Sequence, residues 1–446
     1  MRRSGTTQDN TDQSSTQTEE PGAGMPAPGS CTTDGVDMGR MRRRLSRLTE
    51  PLSDRSLRRL WYARTVSELG NWAARIALGL AVYAHSGSAL AATAVTAVSV
   101  LPHLGIGQVL GTLADRFPHR TVMVTADLVR GVLYLVLAAT DLPVPYVLAL
   151  AFLAGMGDPP FVAAYSAALP QLAGDRYLAV QTLFSSTRQA MTLLGFALGG
   201  ALVAASSPAA ALALNGASFF VGAVLVAGIR STRSSDRSAR QPLLRPAVRA
   251  LTSDRLIVVS AGVVTMGALL GIAVESLVVA YAHHLGLGPR GAGLLATVAP
   301  AAAVVTSFFL PSEGRHVALV RLVCRTSAVM TTVAFLVFIV DSPMPLVLLG
   351  FLAAGAMDIL TVPAGVVIGQ RLPQASRGTA FSFLEGVLMA AHAAGAVTAG
   401  LLASVMSVPL AAATLALPAG AGAVIGLLVL ARPGRVRVPL PVPVTD

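Results

Sequence analysis

The chain contains 446 residues, of which 54% are hydrophobic and only 12% are charged. A soluble domain has about 45–50% apolar and about 25% charged residues, so this composition excludes an ordinary soluble protein and requires a lipid bilayer. The formal net charge is +11 and every basic residue is an arginine; the placement of these arginines in short loops, described below, argues against a nucleic-acid partner.

The first 55 residues are rich in Ser, Thr, Gly, Pro and charged side chains, which predicts a disordered cytoplasmic tail. No apolar core follows a positively charged start, so we expect no cleaved signal peptide and insertion directed by the first span. The two cysteines, Cys31 and Cys324, show neither metal-ligand spacing nor a disulfide framework. We therefore predict no metal and no cofactor.

Twelve apolar runs follow, each long enough, at about 20 residues, to cross a hydrocarbon core of about 30 Å. They lie near 61–84, 89–110, 121–140, 144–166, 185–205, 209–229, 256–282, 291–310, 318–340, 346–369, 379–405 and 408–430. An arginine-rich linker at 231–255 divides them six and six, and a second polar tail covers 432–446. The predicted fold is an all-α membrane protein with two pseudo-symmetric six-helix bundles, at 56–230 and 256–431.

The arginines predict the orientation of these spans, because cytoplasmic loops accumulate basic residues. They cluster on alternate connections, at 40–59, 116–120, 176, 230–255, 315–321, 371–377 and 432–437. On the opposite loops only Arg290 is basic. We therefore predict a multi-pass protein of the bacterial plasma membrane, with the linker and both termini in the cytoplasm.

The two halves repeat each other at an offset of about 200 residues. Four segments of the first half recur in helix order, 152–158 as 351–358, 169–171 as 372–374, 195–202 as 395–402 and 82–85 as 280–283. In transporters built from repeated halves the substrate site lies between the halves, near the middle of the membrane.

The most specific motif is Gly111-Thr-Leu-Ala-Asp115-Arg116-Phe-Pro-His-Arg120, on the turn between the second and third predicted helices. Glycine allows the helices to approach closely, and an aspartate with two arginines on a tight turn can bridge neighbouring helix ends. The motif resembles the signature loop of the major facilitator superfamily, with Pro118 where glycine is usual and the second arginine shifted to Arg120. This resemblance implies a secondary transporter whose loop acts as a conformational gate.

Within that superfamily the chain is similar to the branch that exports siderophores and macrolides. The resemblance covers roughly residues 58–430. The residues that carry it are Arg64, 67–72, Gly87, Ser88, Pro160, Tyr165, Leu169, Pro170 and 215–219. It implies export of a small molecule but does not identify the substrate.

Three glycines of the fifth predicted helix, Gly195, Gly199 and Gly200, resemble a glycine element of antiporters, with Phe196 in place of its proline. Small residues there permit close helix crossing and a hinge, and packing alone is an equally favoured interpretation. The fourth helix lacks the arginine of the proton-coupled drug antiporter motif, which leaves the coupling ion open.

Charged side chains within spans are costly and mark functional sites by default. The repeat places Arg75 and Glu275 at nearly matching depth, which predicts a central ion pair that serves either transport or structure alone. Asp158 is predicted to pair with Arg116 or Arg120, and substrate binding is the alternative.

Two titratable residues share one face of the eleventh helix, because Glu385 and His392 are seven residues apart. Both could titrate in a proton-coupled cycle, and hydrogen-bonded packing is the alternative for His392. The other intramembrane charges are predicted to form structural pairs near helix ends: Arg64 with Glu68, and Arg130, Arg188 and Arg325.

The sequence favours a monomeric, proton-driven exporter of an antibiotic, siderophore or other secondary metabolite. A partly apolar substrate is expected from Trp72, Phe161, Tyr165 and Met266 on helices that line the cavity in this family. An importer of the same fold and a membrane receptor or enzyme that does not transport are the alternatives. Against an enzyme, the sequence shows no nucleotide-binding loop and no Ser/His/Asp arrangement.

Overall fold

Helices make up every regular element that the computed structural model describes. The described residues are 50–104, 106–230, 248–249, 251–252, 254–307, 316–340, 343–359, 361–372 and 374–431. The predictions made for residues 1–49, for most of the linker and for the tail at 432–446 lie outside these ranges.

Within the described residues, nine α-helices form the first half of the fold. They are α1 (Arg55–Ser86), α2 (Ala89–Val100), α3 (Ile106–Gly111), α4 (Leu113–Arg116), α5 (His119–Ala139), α6 (Val144–Gly155), α7 (Asp158–Ala173), α8 (Tyr177–Ala205) and α9 (Pro208–Ala227). The second half continues with α10 (Arg255–His284), α11 (Pro289–Ser307), α12 (His316–Ile339), α13 (Met344–Ile359), α14 (Thr361–Arg371), α15 (Gln374–Val405) and α16 (Val408–Ala431).

The long first helix of each half begins at the same short sequence, Ser-Asp-Arg, at 53–55 and again at 253–255. The carboxylate of Asp54 accepts hydrogen bonds from the amides of Leu57 at 3.0 Å and Ser56 at 2.7 Å, which holds the pKa of Asp54 below its usual value. Asp254 accepts one from the amide of Leu256 at 2.8 Å. Both aspartates therefore satisfy amides that the first turn of a helix leaves unpaired.

Two of the predicted spans are interrupted within the described residues. The span predicted at 89–110 is interrupted by the 3-10 turn Leu101–His103, where Pro102 lacks the amide that an α-helix needs. The span at 144–166 divides between α6 and α7, and Pro159 and Pro160 occupy the first turn of α7.

Eight stretches of the described part are long and apolar enough to cross a membrane. They are His119–Ala139, Val144–Arg176, Ala179–Ala205, Pro208–Ala227, Arg255–Ser276, His316–Ile339, Phe383–Val405 and Val408–Ala431. Outward-facing apolar side chains such as Val224 and Val405, 74% and 77% exposed, are typical of a surface that contacts lipid. The count of twelve spans is not confirmed and stays a prediction.

Corresponding helices of the two halves pack in the same way. In the first half α9 packs against α5 and α1, and α8 packs against α1. In the second half α16 packs against α12 and α10, and α15 packs against α10. A Cβ added at Gly195 would lie 2.9 Å from the carbonyl oxygen of Leu69, and one added at Gly395 would lie 2.5 Å from that of Leu269. Each glycine thus lets its helix touch the backbone of the first helix of its half.

Two further glycines bring the halves together. A Cβ added at Gly200 would lie 2.6 Å from the Cα of Gly293 on α11, and one added at Gly400 would collide with the side chain of Thr93 on α2. Both contacts lie toward one end of the molecule, called here the arginine-poor face, which carries the connections 87–88, 140–143, 206–207, 285–288 and 406–407. The opposite end, the arginine-rich face, carries 54, 117–118, 174–176, 228–230 and 254.

Candidate functional site

The predicted central ion pair is confirmed. Nη2 of Arg75 on α1 lies 3.3 Å from Oε1 of Glu275 on α10, and the two side chains are 20% and 19% exposed. The Arg75 guanidinium also lies 5.0 Å from the ring centroid of Trp72, which packs at 5.0 Å on Phe196 of α8. The pair therefore joins the two halves through a contact that is partly shielded from solvent.

Two more residues approach each other between the halves, closer to the arginine-poor face. Tyr83 Oη lies 3.5 Å from His283 Nδ1, with the ring centroids 5.1 Å apart. His392 on α15 is half-buried and close enough to Arg75 for the guanidinium charge to act on its ring. Glu385, seven residues before His392 on α15, is exposed. The structure thus brings His392 toward the central pair.

Asp158 does not pair with Arg116 or Arg120, so that prediction is wrong. Its Oδ1 lies 3.1 Å from Arg130 Nη1 and its Oδ2 lies 3.0 Å from His103 Nε2. Asp158 begins α7, directly after the break that follows α6. The carboxylate thus contacts α5 and the 3-10 turn at 101–103 rather than the loop at 111–120.

Arg130 lies near the middle of α5, not near a helix end as expected, and its side chain is buried. Besides Asp158, its guanidinium lies 3.4 Å from Asn71 Oδ1 and 4.2 Å from the ring centroid of Phe219. A Cβ added at Gly157 would lie 2.7 Å from Arg130 Cγ. Glycine at this position therefore gives the arginine stem its space.

Asp127, one turn before Arg130 on α5, was missed by sequence reasoning. It is 1% exposed, and among the described residues neither carboxylate oxygen has a hydrogen-bond partner. A Cβ added at Gly222 of α9 would lie 3.0 Å both from Asp127 Oδ2 and from Ser67 Oγ of α1. Asp127 is thus enclosed by three helices. An aspartate inside an apolar run was the signal that could have found it.

The loop motif lies at the arginine-rich face. Gly111 ends α3, Arg116 is exposed at the end of α4, and Arg120 Nη1 donates to the carbonyl oxygen of Ala227 at 3.4 Å. Arg120 therefore bridges the start of α5 to the end of α9. The side chain of Asp115 lies outside what the structure describes, so its gating role stays a prediction.

The glycine element of α8 packs without a gap. A Cβ added at Gly199 would lie 2.6 Å from Ile76 Cγ2 and 2.7 Å from the Cα of Ala73. Gly195 and Gly199 thus contact α1 within one half, whereas Gly200 contacts the other half. The structure gives close packing for all three, and a hinge stays a prediction.

A cavity of about 150 Å³ opens between α1, α7 and α8, on the side of the arginine-rich face. Its walls include Trp61, Arg64, Glu68, Tyr165, Phe184 and Arg188. The predicted pair of Arg64 and Glu68 is confirmed, with Nη2 and Oε1 2.5 Å apart.

Of the aromatic residues expected in the cavity, Tyr165 lines it, whereas Phe161 is buried beneath the Arg64 guanidinium. Trp72 instead packs at the central pair. Arg188 lines the cavity and does not make the structural pair that was expected for it within the described residues.

Comparison with known proteins identifies the family. A family described as transmembrane secretion effector matches residues 46–437. The uncharacterized MFS-type transporter YfiS of Bacillus subtilis is 29% identical over 177 residues, which cover 39% of this chain. That alignment spans 42% of the length of YfiS, less than half of the relative.

Solved transporter structures share the fold. The nucleoside transporter NupG superimposes with a TM-score of 0.62 and 16% identity, over 84% of this chain and 98% of that one. A POT family transporter in complex with a thioalcohol-conjugated peptide superimposes with a TM-score of 0.66 and 12% identity, over 84% of this chain and 96% of that one. A bacterial homologue of the human lysosomal transporter Spinster, in an inward-facing and occupied conformation, has a TM-score of 0.65 and 12% identity, over 84% of this chain and 94% of that one. Because the family match spans most of the chain, this protein belongs to the transmembrane secretion effector family and has the fold of the major facilitator transporters.

Proposed function

We propose that this protein is a proton-coupled exporter of a small molecule, working by alternating access as a monomer. One observation carries the proposal: the contacts between the halves and the cavity lie toward opposite ends of the molecule. The Arg75–Glu275 pair and the contact between Gly200 and Gly293 join the halves toward the arginine-poor face. The cavity wall at Arg188 is exposed toward the arginine-rich face. A transporter open on one side and closed on the other has this arrangement.

One finding supports export, and one prediction from the sequence gives the orientation. The family description names secretion, and the arginine excess of one face predicts that this face is cytoplasmic. The cavity would then open to the cytoplasm, from which an exporter loads its substrate. Placement in the plasma membrane with both termini inside, and kinship with exporters of siderophores and macrolides, belong to the same proposal. The names of the solved transporters mention nucleosides and peptides, which are ligands of those proteins.

Asp127 supports proton coupling. A buried carboxylate without hydrogen bonds is costly when ionised, and binding a proton offsets that cost. The charged groups that act on it are Arg130 from its own helix, Arg64 from α1 and Asp158 from α7, while α9 presents Gly222. Any movement of α1 or α7 during the cycle changes these interactions and hence the preference of Asp127 for a proton. His392, beside Arg75, is the second candidate for proton transfer.

Transport into inverted membrane vesicles tests the direction and the coupling. Expression in an efflux-deficient host, scanned for raised tolerance to antibiotics, supplies the compound to be labelled. Inverted vesicles with an acidic interior should accumulate that compound, and a protonophore should abolish the accumulation. Vesicles from cells with an empty vector are the control. Accumulation in right-side-out vesicles, but not in inverted ones, under a gradient favouring inward movement would instead show an importer.

A further inference from the structure

The cavity of about 150 Å³ between α1, α7 and α8 has aromatic walls. The ring centroids of Tyr165 and Phe184 are 5.7 Å apart. Trp61 closes another side, and its indole Nε1 donates to Thr187 Oγ1 at 2.9 Å, so the polar atom of that ring already has a protein partner. A cavity of about 150 Å³ is large enough to hold a benzene-sized group.

The charges on the cavity wall do not cancel. Arg64 is neutralised by Glu68, and its guanidinium lies 5.2 Å from the ring centroid of Tyr165. Arg188, on the facing helix α8, is exposed and has no carboxylate within ion-pair distance among the described residues. The wall therefore carries one guanidinium more than it carries carboxylates.

We infer that this cavity binds small aromatic carboxylates, with Arg188 binding the carboxylate and the aromatic walls holding the ring. A guanidinium forms paired hydrogen bonds with the two oxygens of a carboxylate. Thr65, Gln181 and Ser185 add polar groups beside Arg188 for further substituents of the ligand. A cationic ligand of the same shape would meet the surplus positive charge. The inference rests on the proposed function in one respect: it takes the ligand of this cavity to be the substrate that the protein transports.

Fluorescence of Trp61 reports binding directly, because the chain has only two tryptophans and the other, Trp72, lies at the central pair. The purified full chain is titrated with 4-nitrobenzoate, 4-nitrobenzamide and 4-nitrobenzylammonium, which have similar shapes and quench indole fluorescence. The Trp61→Phe variant defines the signal that does not come from the cavity. A hydrogen bond to a charged group contributes about 1.5–3 kcal/mol, so the carboxylate should bind about 10-fold to 100-fold more tightly than the amide.

Substitutions at Arg188 identify the group that binds the carboxylate. Arg188→Gln should remove the preference for 4-nitrobenzoate, and Arg188→Lys, which keeps the charge but not the paired donors, should keep only part of it. Arg290→Gln, which removes an exposed arginine on the arginine-poor face, should leave binding unchanged. Equal binding of the three probes, quenching by none of them, or an unchanged Kd in Arg188→Gln would overturn the inference.

The binding assay needs no proton gradient, so it separates this inference from the proposed function. Tight, Arg188-dependent binding of 4-nitrobenzoate to a protein that accumulates nothing in inverted vesicles would refute proton-driven export and leave the site intact. Gradient-driven accumulation of another compound by a protein whose Trp61 is not quenched by 4-nitrobenzoate would support export and refute the assigned substrate class.

Discussion

Charged side chains inside the apolar helices show what could be predicted residue by residue. Arg75 and Glu275 were predictable because the repeat places them at matching depth, and they lie 3.3 Å apart. Arg130 and Asp127 are three residues apart on one helix, a spacing that allows a local pair. Instead, Arg130 binds Asp158 of α7, and Asp127 has no hydrogen-bond partner in the part of the chain that the structure describes. Asp158 begins α7 directly after the break that follows α6, and the hydropathy of that segment does not reveal this break. The choice of Asp158 over Asp127 as the partner of Arg130 was therefore not predictable.

Replacing Asp127 by asparagine tests its role in coupling. Asp127→Asn mimics the protonated acid, so the folded yield should match that of the unchanged protein. Proton-driven accumulation in vesicles should fall at least about tenfold, the loss expected when about 1.4 kcal/mol of coupling is removed. Exchange of labelled for unlabelled substrate without a gradient should persist. Asp175→Asn, which alters an exposed loop carboxylate, is the matched control. Undiminished proton-driven accumulation by Asp127→Asn would rule out Asp127 as the proton carrier.

The central pair is tested by single and double substitutions. Removing one partner of a buried pair leaves an unpaired charge that costs about 3–5 kcal/mol, and we expect the lower end because each side chain is about one-fifth exposed. Arg75→Ala and Glu275→Gln should each reduce the folded yield, measured by size-exclusion chromatography. Arg75→Ala combined with Glu275→Ala should recover most of it. If both single variants fold and transport normally, the pair contributes to neither stability nor closure.

At the scale of the elements, the apolar pattern predicted the position of every long described helix but not its interruptions. Hydropathy stays high across Pro102 and across the junction of α6 and α7, while the α-helix is interrupted at both places. Proline is tolerated in the first turn of a helix, so Pro159 and Pro160 do not by themselves show where a helix starts. The contact between Gly200 and Gly293 could not be derived from sequence either, since it depends on how the halves meet.

That glycine contact makes a prediction about closure of the arginine-poor face. The side chain of Gly200→Val would collide with the backbone of Gly293, which cannot move aside cheaply, so α8 and α11 must separate. The separation should expose Thr93, which packs against Gly400 on the same face and is fully buried. Labelling of Thr93→Cys by a membrane-impermeant maleimide, with the native cysteines removed, should therefore rise. Gly262→Val, at a glycine with open space around it, should leave the labelling unchanged.

An unchanged labelling rate in Gly200→Val would show that the two contacts are not coupled. The halves would then not move as units at this face, and the packing of α8 against α11 would be a local feature.

At the scale of the whole molecule, the repeat seen in the sequence reappears as a set of contacts. Gly200 contacts Gly293, and Gly400 contacts Thr93. Gly400 lies 200 residues after Gly200, and Thr93 lies 200 residues before Gly293, so the two contacts are equivalent under the repeat. The sequence could predict that equivalent helices exist in both halves, because the repeated segments are visible in it. Which face the halves close is a property of one conformation of the transporter, and no residue pattern records it.

The most direct test of alternating access is to lock the arginine-poor face. Tyr83→Cys and His283→Cys are combined in a chain without native cysteines, because these side chains meet between the halves. A short, reducible bifunctional thiol reagent should join them, stop transport into inverted vesicles, and release it again on reduction. Each single-cysteine variant, treated in the same way, should keep transporting. Transport by the cross-linked protein at the rate of the untreated protein would contradict the account, because the halves would then not need to part at this face.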